Sequence, residues 1–255
     1  MAESPVAIVT GGAQGLGAAI SKALLHKGYR VCVSDINENK CYECVSHLQQ
    51  HFGKNNVIFV RADVSKEWDV KNIFEKTMLH FNRVDVLANN AGILDEDNPR
   101  HLVDVNLMGV INGIRAAFEY MGTSHGGNGG IVINTASVLG LVPFDIIPVY
   151  TATKHAVVGL TRSYGLPYHY DNEGILFAAL CPSYIGTDML NDVSTKSLSK
   201  GLVVGDRPEI MSPDDVAKGF LKLLEDRING STLYVEKNAG FQYIGLPQEM
   251  KTFEL

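Results

Sequence analysis

Val6-Ala7-Ile8-Val9-Thr10-Gly11-Gly12-Ala13-Gln14-Gly15-Leu16-Gly17 decides the fold of this chain. Four consecutive apolar residues suit a strand buried on both faces. The glycines that follow allow a tight turn into a helix running to about residue 27. A diphosphate can approach such a turn closely, with its charge facing the helix N-terminus. Gly11, Gln14, Gly15, Leu16 and Gly17 are therefore candidate diphosphate contacts. Eighteen residues beyond Gly17, a second strand ends in an acid, Asp35. A carboxylate there can accept hydrogen bonds from both adenosine ribose hydroxyls and repels a 2′-phosphate. Neither the turn nor Ile36-Asn37 supplies a basic residue to offset that repulsion, so NAD is favoured over NADP. The local alternative for Asp35 is a helix cap or turn residue.

Outward from this turn, short β-branched runs alternate with longer amphipathic stretches as far as about residue 235, a βαβ rhythm. Strands are predicted at 6–9, 30–34, 57–61, 84–88, 131–135, 175–181 and 232–235. The fold class is α/β, a Rossmann-type doubly wound parallel sheet of about seven strands with helices on both faces. The 255 residues are read as one domain, with a dinucleotide-binding half over about 1–135 and a catalytic and substrate half over about 136–255. In such sheets ligands lie beyond the carboxyl ends of the strands. Asp63 and Val64, just after the third strand, are then placed to edge the adenine, and Ile36 is a further candidate cofactor contact. In Asn89-Asn90-Ala91-Gly92 the small residues leave room for a cofactor, while Asn90 is either a cofactor contact or a cross-strand hydrogen bonder. Segments 95–99, 122–130 and 191–208 read as loops, the last as a lid or as a surface excursion.

A formal net charge of -6 gives no basic footprint for nucleic acid or an anionic membrane, which favours small-molecule chemistry. Four cysteines are too few and too scattered for a disulfide framework, and Cys41-x-x-Cys44 lacks the second pair a metal site needs. No leader or spanning segment is read, so a cytoplasmic location is expected. Asn229-Gly230-Ser231 reads as a turn. Tyr150 and Lys154, four apart, stand on one helix face, where an ammonium stabilises a phenolate and lowers the tyrosine pKa toward working pH. Alone, the spacing is equally that of a surface tyrosine packed on a lysine stem. Ser137 lies thirteen residues upstream.

The glycine turn, Asn89-Asn90-Ala91-Gly92, Ser137 and Tyr150-x-x-x-Lys154, in this order, resemble the short-chain dehydrogenase/reductase family over about residues 5–240. Within it, 126–134, 148–150 and 154–163 look most like NAD-dependent 15-hydroxyprostaglandin dehydrogenases. The resemblance implies that Ser137 holds the substrate oxygen, Tyr150 is the general base, and Lys154 tunes it and holds the nicotinamide ribose. Asn106 would anchor a water that relays the proton, while Pro182, Ile185 and Thr187 hold the carboxamide. It also implies a homodimer or homotetramer built through the helix that carries Tyr150. The chain departs from the family at Ser183, where glycine is usual. It departs again at Ile147, where the prostaglandin enzymes carry a substrate-bonding glutamine.

The implied activity is NAD-dependent oxidation of a secondary alcohol to a ketone, on an apolar, lipid-like small molecule: prostaglandin-like, terpenoid or steroid. Leu139, Leu141, Val142, Phe144, Ile146, Ile147 and Tyr184 are candidates for the pocket wall or for core. The tail, 241–255, is a candidate for an interface or a pocket cover. The alternatives are a carbonyl reductase working mainly in reverse and a non-catalytic NAD-binding regulator.

Overall fold

The first strand, β1 (Val6–Thr10), is buried at all five positions, as its uniformly apolar sequence requires. Its side chains alternate between two cores, Ala7 and Val9 on one face and Ile8 on the other. Six more strands run parallel to it: β2 (Arg30–Asp35), β3 (Val57–Arg61), β4 (Val86–Asn89), β5 (Gly130–Thr135), β6 (Ile175–Pro182) and β7 (Ser231–Glu236). An eighth, β8 (Gly240–Tyr243), pairs antiparallel with β7. The order is β3-β2-β1-β4-β5-β6-β7-β8, so the switch point lies between β1 and β4. The structure is a computed structural model and describes residues 4–200 and 209–245.

Helices α1 (Gly15–His26), α2 (Glu38–Phe52) and α9 (Pro213–Asp226) cover one face. On the other lie α3 (Glu67–Phe81), α5 (Gly109–Met121) and α6 (Pro148–Tyr164), with the short α7 (Pro167–Glu173) after α6. Above the carboxyl edge, α4 (Pro99–Val103) and α8 (Asp188–Lys196) border a third, smaller apolar cluster, which holds Leu94, Leu102, Ile146, Ile147 and Tyr150. Among the described residues no helix is long and apolar enough to cross a membrane.

Two sequence expectations need correction. The sheet has eight strands, because β8 is an edge strand whose Phe241 and Gln242 are exposed and so leaves no apolar run to read. Residues 188–196 form α8 rather than a loop. Its Asn, Asp, Ser and Thr are weak helix formers, but Met189 and Val193, four apart, pack on the small cluster, and Asp192 pairs with Lys196 at 3.1 Å. Of the rest of the expected 191–208 loop, 197–200 is irregular as expected, while 201–208 and the tail beyond 245 lie outside the described residues.

A buried polar ladder ties the helices to the sheet. Asn89 Nδ2 donates to Val110 O at 3.3 Å and to Asn134 Oδ1 at 3.0 Å, and Asn134 Nδ2 donates to Thr161 Oγ1 at 2.9 Å. Gly113, in α5, leaves room for it: a Cβ there would fall 2.2 Å from Asn89 Oδ1. Helix propensity alone would make Gly113→Ala stabilising by about 1 kcal/mol. Overpacking and the loss of the Asn89 bonds outweigh this, and we expect a net destabilisation of roughly 2–4 kcal/mol in urea unfolding. A variant as stable as the parent would contradict this account.

Candidate active site

The carboxyl ends of the parallel strands line a single cavity of about 520 Å³. One arm is bounded by the glycine turn, Asp35, Ile36, Asp63 and Val64, and the other by Ser137, Leu139, Ile147, Tyr150, Lys154 and Tyr184. Asn90, Ala91, Gly92, Pro182, Ile185 and Thr187 line it as well. Every candidate catalytic or cofactor-binding residue but one faces this space. The exception is Asn106, which is fully buried.

At the turn, Gly17 packs against backbone so closely that a Cβ would fall 2.0 Å from Gly11 O. The N-cap of α1, Gln14, makes no side-chain cap bond, and the first turn holds no acid. Its amide donors thus suit an anionic diphosphate. Asp35 is not a helix cap, since Asn37 caps α2 by accepting from Lys40 N at 3.1 Å. Instead Asp35 accepts from Ala13 N at 3.3 Å and Asn37 N at 3.1 Å, which fixes its carboxylate at the cavity. Lys40 lies nearby, but it is engaged with Gln14 and with Asp188 at 3.5 Å. Asn90 is the cross-strand bonder: its Nδ2 donates to Thr10 O at 3.1 Å and Gly11 O at 3.2 Å, and its Oδ1 accepts from Thr135 Oγ1 at 3.3 Å. These features fit a dinucleotide with an unphosphorylated ribose.

Ser137, Tyr150 and Lys154 meet at the other arm. Burial pushes the Tyr150 phenol up to about 12, with hydrogen bonding from Ser137 pulling the other way. Burial pulls the Lys154 ammonium down to about 8. Its Nζ donates to Thr135 O at 2.9 Å and stands 5.6 Å from the centre of the Tyr150 ring. In the cofactor-free site desolvation thus raises the phenol, opposite to the direction expected from the Tyr150–Lys154 spacing. Asn106 sits in a π-helical segment (Asp104–Met108), with Oδ1 accepting from Ile93 N at 2.8 Å and Nδ2 donating to Ile93 O at 2.9 Å. Its carboxamide thus holds the loop after β4.

Sequence reasoning missed Leu94, His101, Met189, Leu190 and Val193 in the lining. Three of these belong to the unread helix α8, whose 189/193 spacing was the available signal. Of the proposed wall, Leu141, Val142 and Ile146 do not line the cavity, and Val142 is exposed. Ser183 fits where glycine is usual. Among the described residues only Asn82 and Arg227 are non-glycines with positive φ, and Ser183 N donates to Val235 O at 2.9 Å. Cys41 and Cys44 are free thiols whose pKa values burial raises. Among the described residues no group of three or more His, Cys, Asp or Glu gathers as metal ligands would.

A family described as short chain dehydrogenase matches residues 5–198. The chain is 35% identical over 248 residues to human 15-hydroxyprostaglandin dehydrogenase [NAD(+)], covering 93% of each protein. It is 31% identical over 246 residues to 3beta-hydroxysteroid dehydrogenase 2 of Eggerthella lenta, covering 90% of this chain and 92% of the relative. The crystal structure of 3-ketoacyl-(acyl-carrier-protein) reductase from Brucella melitensis complexed with NADH aligns with a TM-score of 0.78 at 26% identity, over 92% of this chain and 97% of that one.

The buried Lys154 has a consequence for stability. Its folded pKa, about 8, lies below the ordinary 10.5, so holding the ammonium costs folding energy that is absent above 10.5 and complete below 8. Urea unfolding of the cofactor-free protein across pH should show Lys154→Met gaining on the parent as pH falls from about 10.5 to about 8. The difference should then stay flat at lower pH. A pH-independent difference would refute the buried ammonium.

Proposed function

The chain belongs to the short chain dehydrogenase family, and from that membership we propose that it oxidises an apolar secondary alcohol to a ketone with NAD, using Tyr150 as base. The observation that carries this is one continuous cavity with Asp35 at one arm and Ser137, Tyr150 and Lys154 at the other. Asp35 holds the adenosine ribose through its hydroxyls and repels a 2′-phosphate. When bound, NAD supplies the hydride acceptor and a positive charge in the cavity that holds a phenol near pKa 12. Ser137 accepts from Leu139 N at 3.2 Å and keeps its own proton to donate to the substrate oxygen. Tyr150 takes the alcohol proton, and Lys154, fixed on Thr135 O, holds the nicotinamide ribose and favours the phenolate. Pro182, Ile185 and Thr187 hold the carboxamide.

The substrate arm supports a lipid-like alcohol. Leu139, Phe144, Ile147, Met189 and Val193 give it apolar walls. Ile147, buried beside Tyr150, offers no partner to a second hydroxyl, which argues against prostaglandin itself. A reductase would use the same groups in reverse, and Asp35 argues against the NADPH that reductases more often draw on. A non-catalytic regulator is disfavoured by the intact Asn106, Ser137, Tyr150 and Lys154.

The test follows NADH fluorescence over aliphatic, terpenoid, steroid and prostaglandin alcohols. Tyr150→Phe should lower kcat by at least about 10³-fold while NADH binding stays nearly unchanged; undiminished turnover would sink the assignment. With Ile147→Gln, kcat/KM should shift by roughly tenfold toward alcohols bearing a second hydroxyl and away from purely apolar ones. An unchanged ranking would remove Ile147 from the specificity argument.

A further inference from the structure

The first turn of α6 presents its amides under unusual conditions. Pro148 has no N–H, the N-cap residue Ile147 has no side-chain acceptor, and Thr151 N is already bonded to Ile147 O at 3.0 Å. This leaves the amides of Val149 and Tyr150 to be satisfied. Both go to one side chain fifty-odd residues away: Glu96 accepts from Tyr150 N through Oε1 at 2.8 Å and from Val149 N through Oε2 at 3.2 Å. The carboxylate is buried, and a negative charge is favoured at a helix N-terminus.

Glu96 is also gripped from the other side. Its own N–H donates to Lys196 O, the last residue of α8, at 3.0 Å. Two further bonds close the same clasp: Leu198 N to Ile146 O at 3.0 Å, and Lys200 Nζ to Asp97 Oδ2 at 2.8 Å. Helix α8 carries Met189, Leu190 and Val193 in the cavity wall. A single residue thus touches, by separate hydrogen bonds, the helix that walls the substrate arm and the amide of the tyrosine at its centre.

We propose that Glu96 is a positioning residue, which fixes Tyr150 through its main-chain amide and couples that placement to the seating of α8 over the substrate. It acts on the reacting groups only through Tyr150 and α8. The inference rests on the alcohol dehydrogenase reading, which supplies the reaction that the placement serves. When α8 seats, Lys196 O holds the Glu96 backbone and the carboxylate is presented to α6; when α8 lifts, the first turn of α6 loses its cap.

Two measurements on the full chain test this, with Glu96→Ala and Glu96→Gln. The first is hydrogen exchange of the cofactor-free protein, which needs no substrate. Exchange should quicken in both the first turn of α6 and 188–196, more for Ala than for Gln, because Gln keeps one acceptor. The second is steady-state kinetics under conditions where circular dichroism shows the variants folded. Glu96→Ala should lose roughly 10–100-fold in kcat with NADH affinity within about twofold, and Glu96→Gln should fall between it and the parent. If exchange quickens only in α6, Glu96 is a simple cap and the coupling is wrong. If kcat in a folded variant is unchanged, or if the whole loss appears in NADH affinity, the positioning role is wrong. Should Glu96→Ala fail to fold, Glu96→Gln decides alone by the same criteria. A parent enzyme silent on every alcohol would defeat the functional reading and leave the exchange result to judge the clasp.

Discussion

Parallel strands cannot be joined by hairpins; each needs a crossover, and crossovers send every carboxyl end to the same edge. In this chain that constraint brings Thr10, Asp35, Asn89, Thr135 and Pro182 to one rim, though they are scattered over more than two-thirds of the sequence. Both faces of the strands are taken up by helices, so the rim is where polar chemistry can collect. The cavity follows from topology, and the residues around it select what enters. At the switch point, where β1 and β4 part company in their connections, the turn backbone is packed so tightly that Gly17 has no room for a side chain.

The same burial that forms the site sets its electrostatics. Removing water raises the tyrosine and lowers the lysine, moving each toward its neutral form. Two groups of opposite sign would normally offset each other's desolvation, but here the ammonium is aimed at the Thr135 carbonyl and lies over the Tyr150 ring. The cofactor-free site therefore disfavours the phenolate–ammonium pair. Positive charge brought into the cavity would favour the phenolate.

What the sequence disclosed follows from how local each signal is. The glycine turn, Asp35 and Tyr150-x-x-x-Lys154 are short, contiguous patterns whose chemistry is carried by residue type, and the structure brings them to one cavity. Strands β1, β5 and β6 were legible through the apolar runs that burial on both faces imposes, and β2, β3 and β7 through their β-branched residues. Strand β8 was not, since an edge strand with exposed Phe241 and Gln242 has no such imprint. Helix α8 escaped because its polar composition opposes its structure, which is stabilised by tertiary contacts at Met189 and Val193. Glu96 was invisible for a different reason: nothing beside it in the chain explains it, and its two acceptors find their donors only when the loop after β4 folds over the start of α6. The Tyr150–Lys154 spacing reports proximity and carries no information on desolvation, which raises the phenol in the cofactor-free site.

Departures from a family pattern carry meaning only against the backbone they sit on. Ser183 replaces a usual glycine, yet its φ is ordinary and its amide is bonded to Val235 O, so the substitution needs no conformation that only glycine supplies. Ile147 replaces a glutamine at a position that is buried, lines the cavity and begins the helix of the base. There a backbone argument offers no relief, because the change is in hydrogen-bonding capacity inside a desolvated wall, where an unmet hydroxyl costs about 1–3 kcal/mol. The first departure therefore strains no backbone. The second changes the hydrogen-bonding capacity of the cavity wall, at the same first turn of α6 whose amides Glu96 holds. Glu96, from the loop after β4, and Ile147 thus meet at the same first turn of α6, which carries Tyr150.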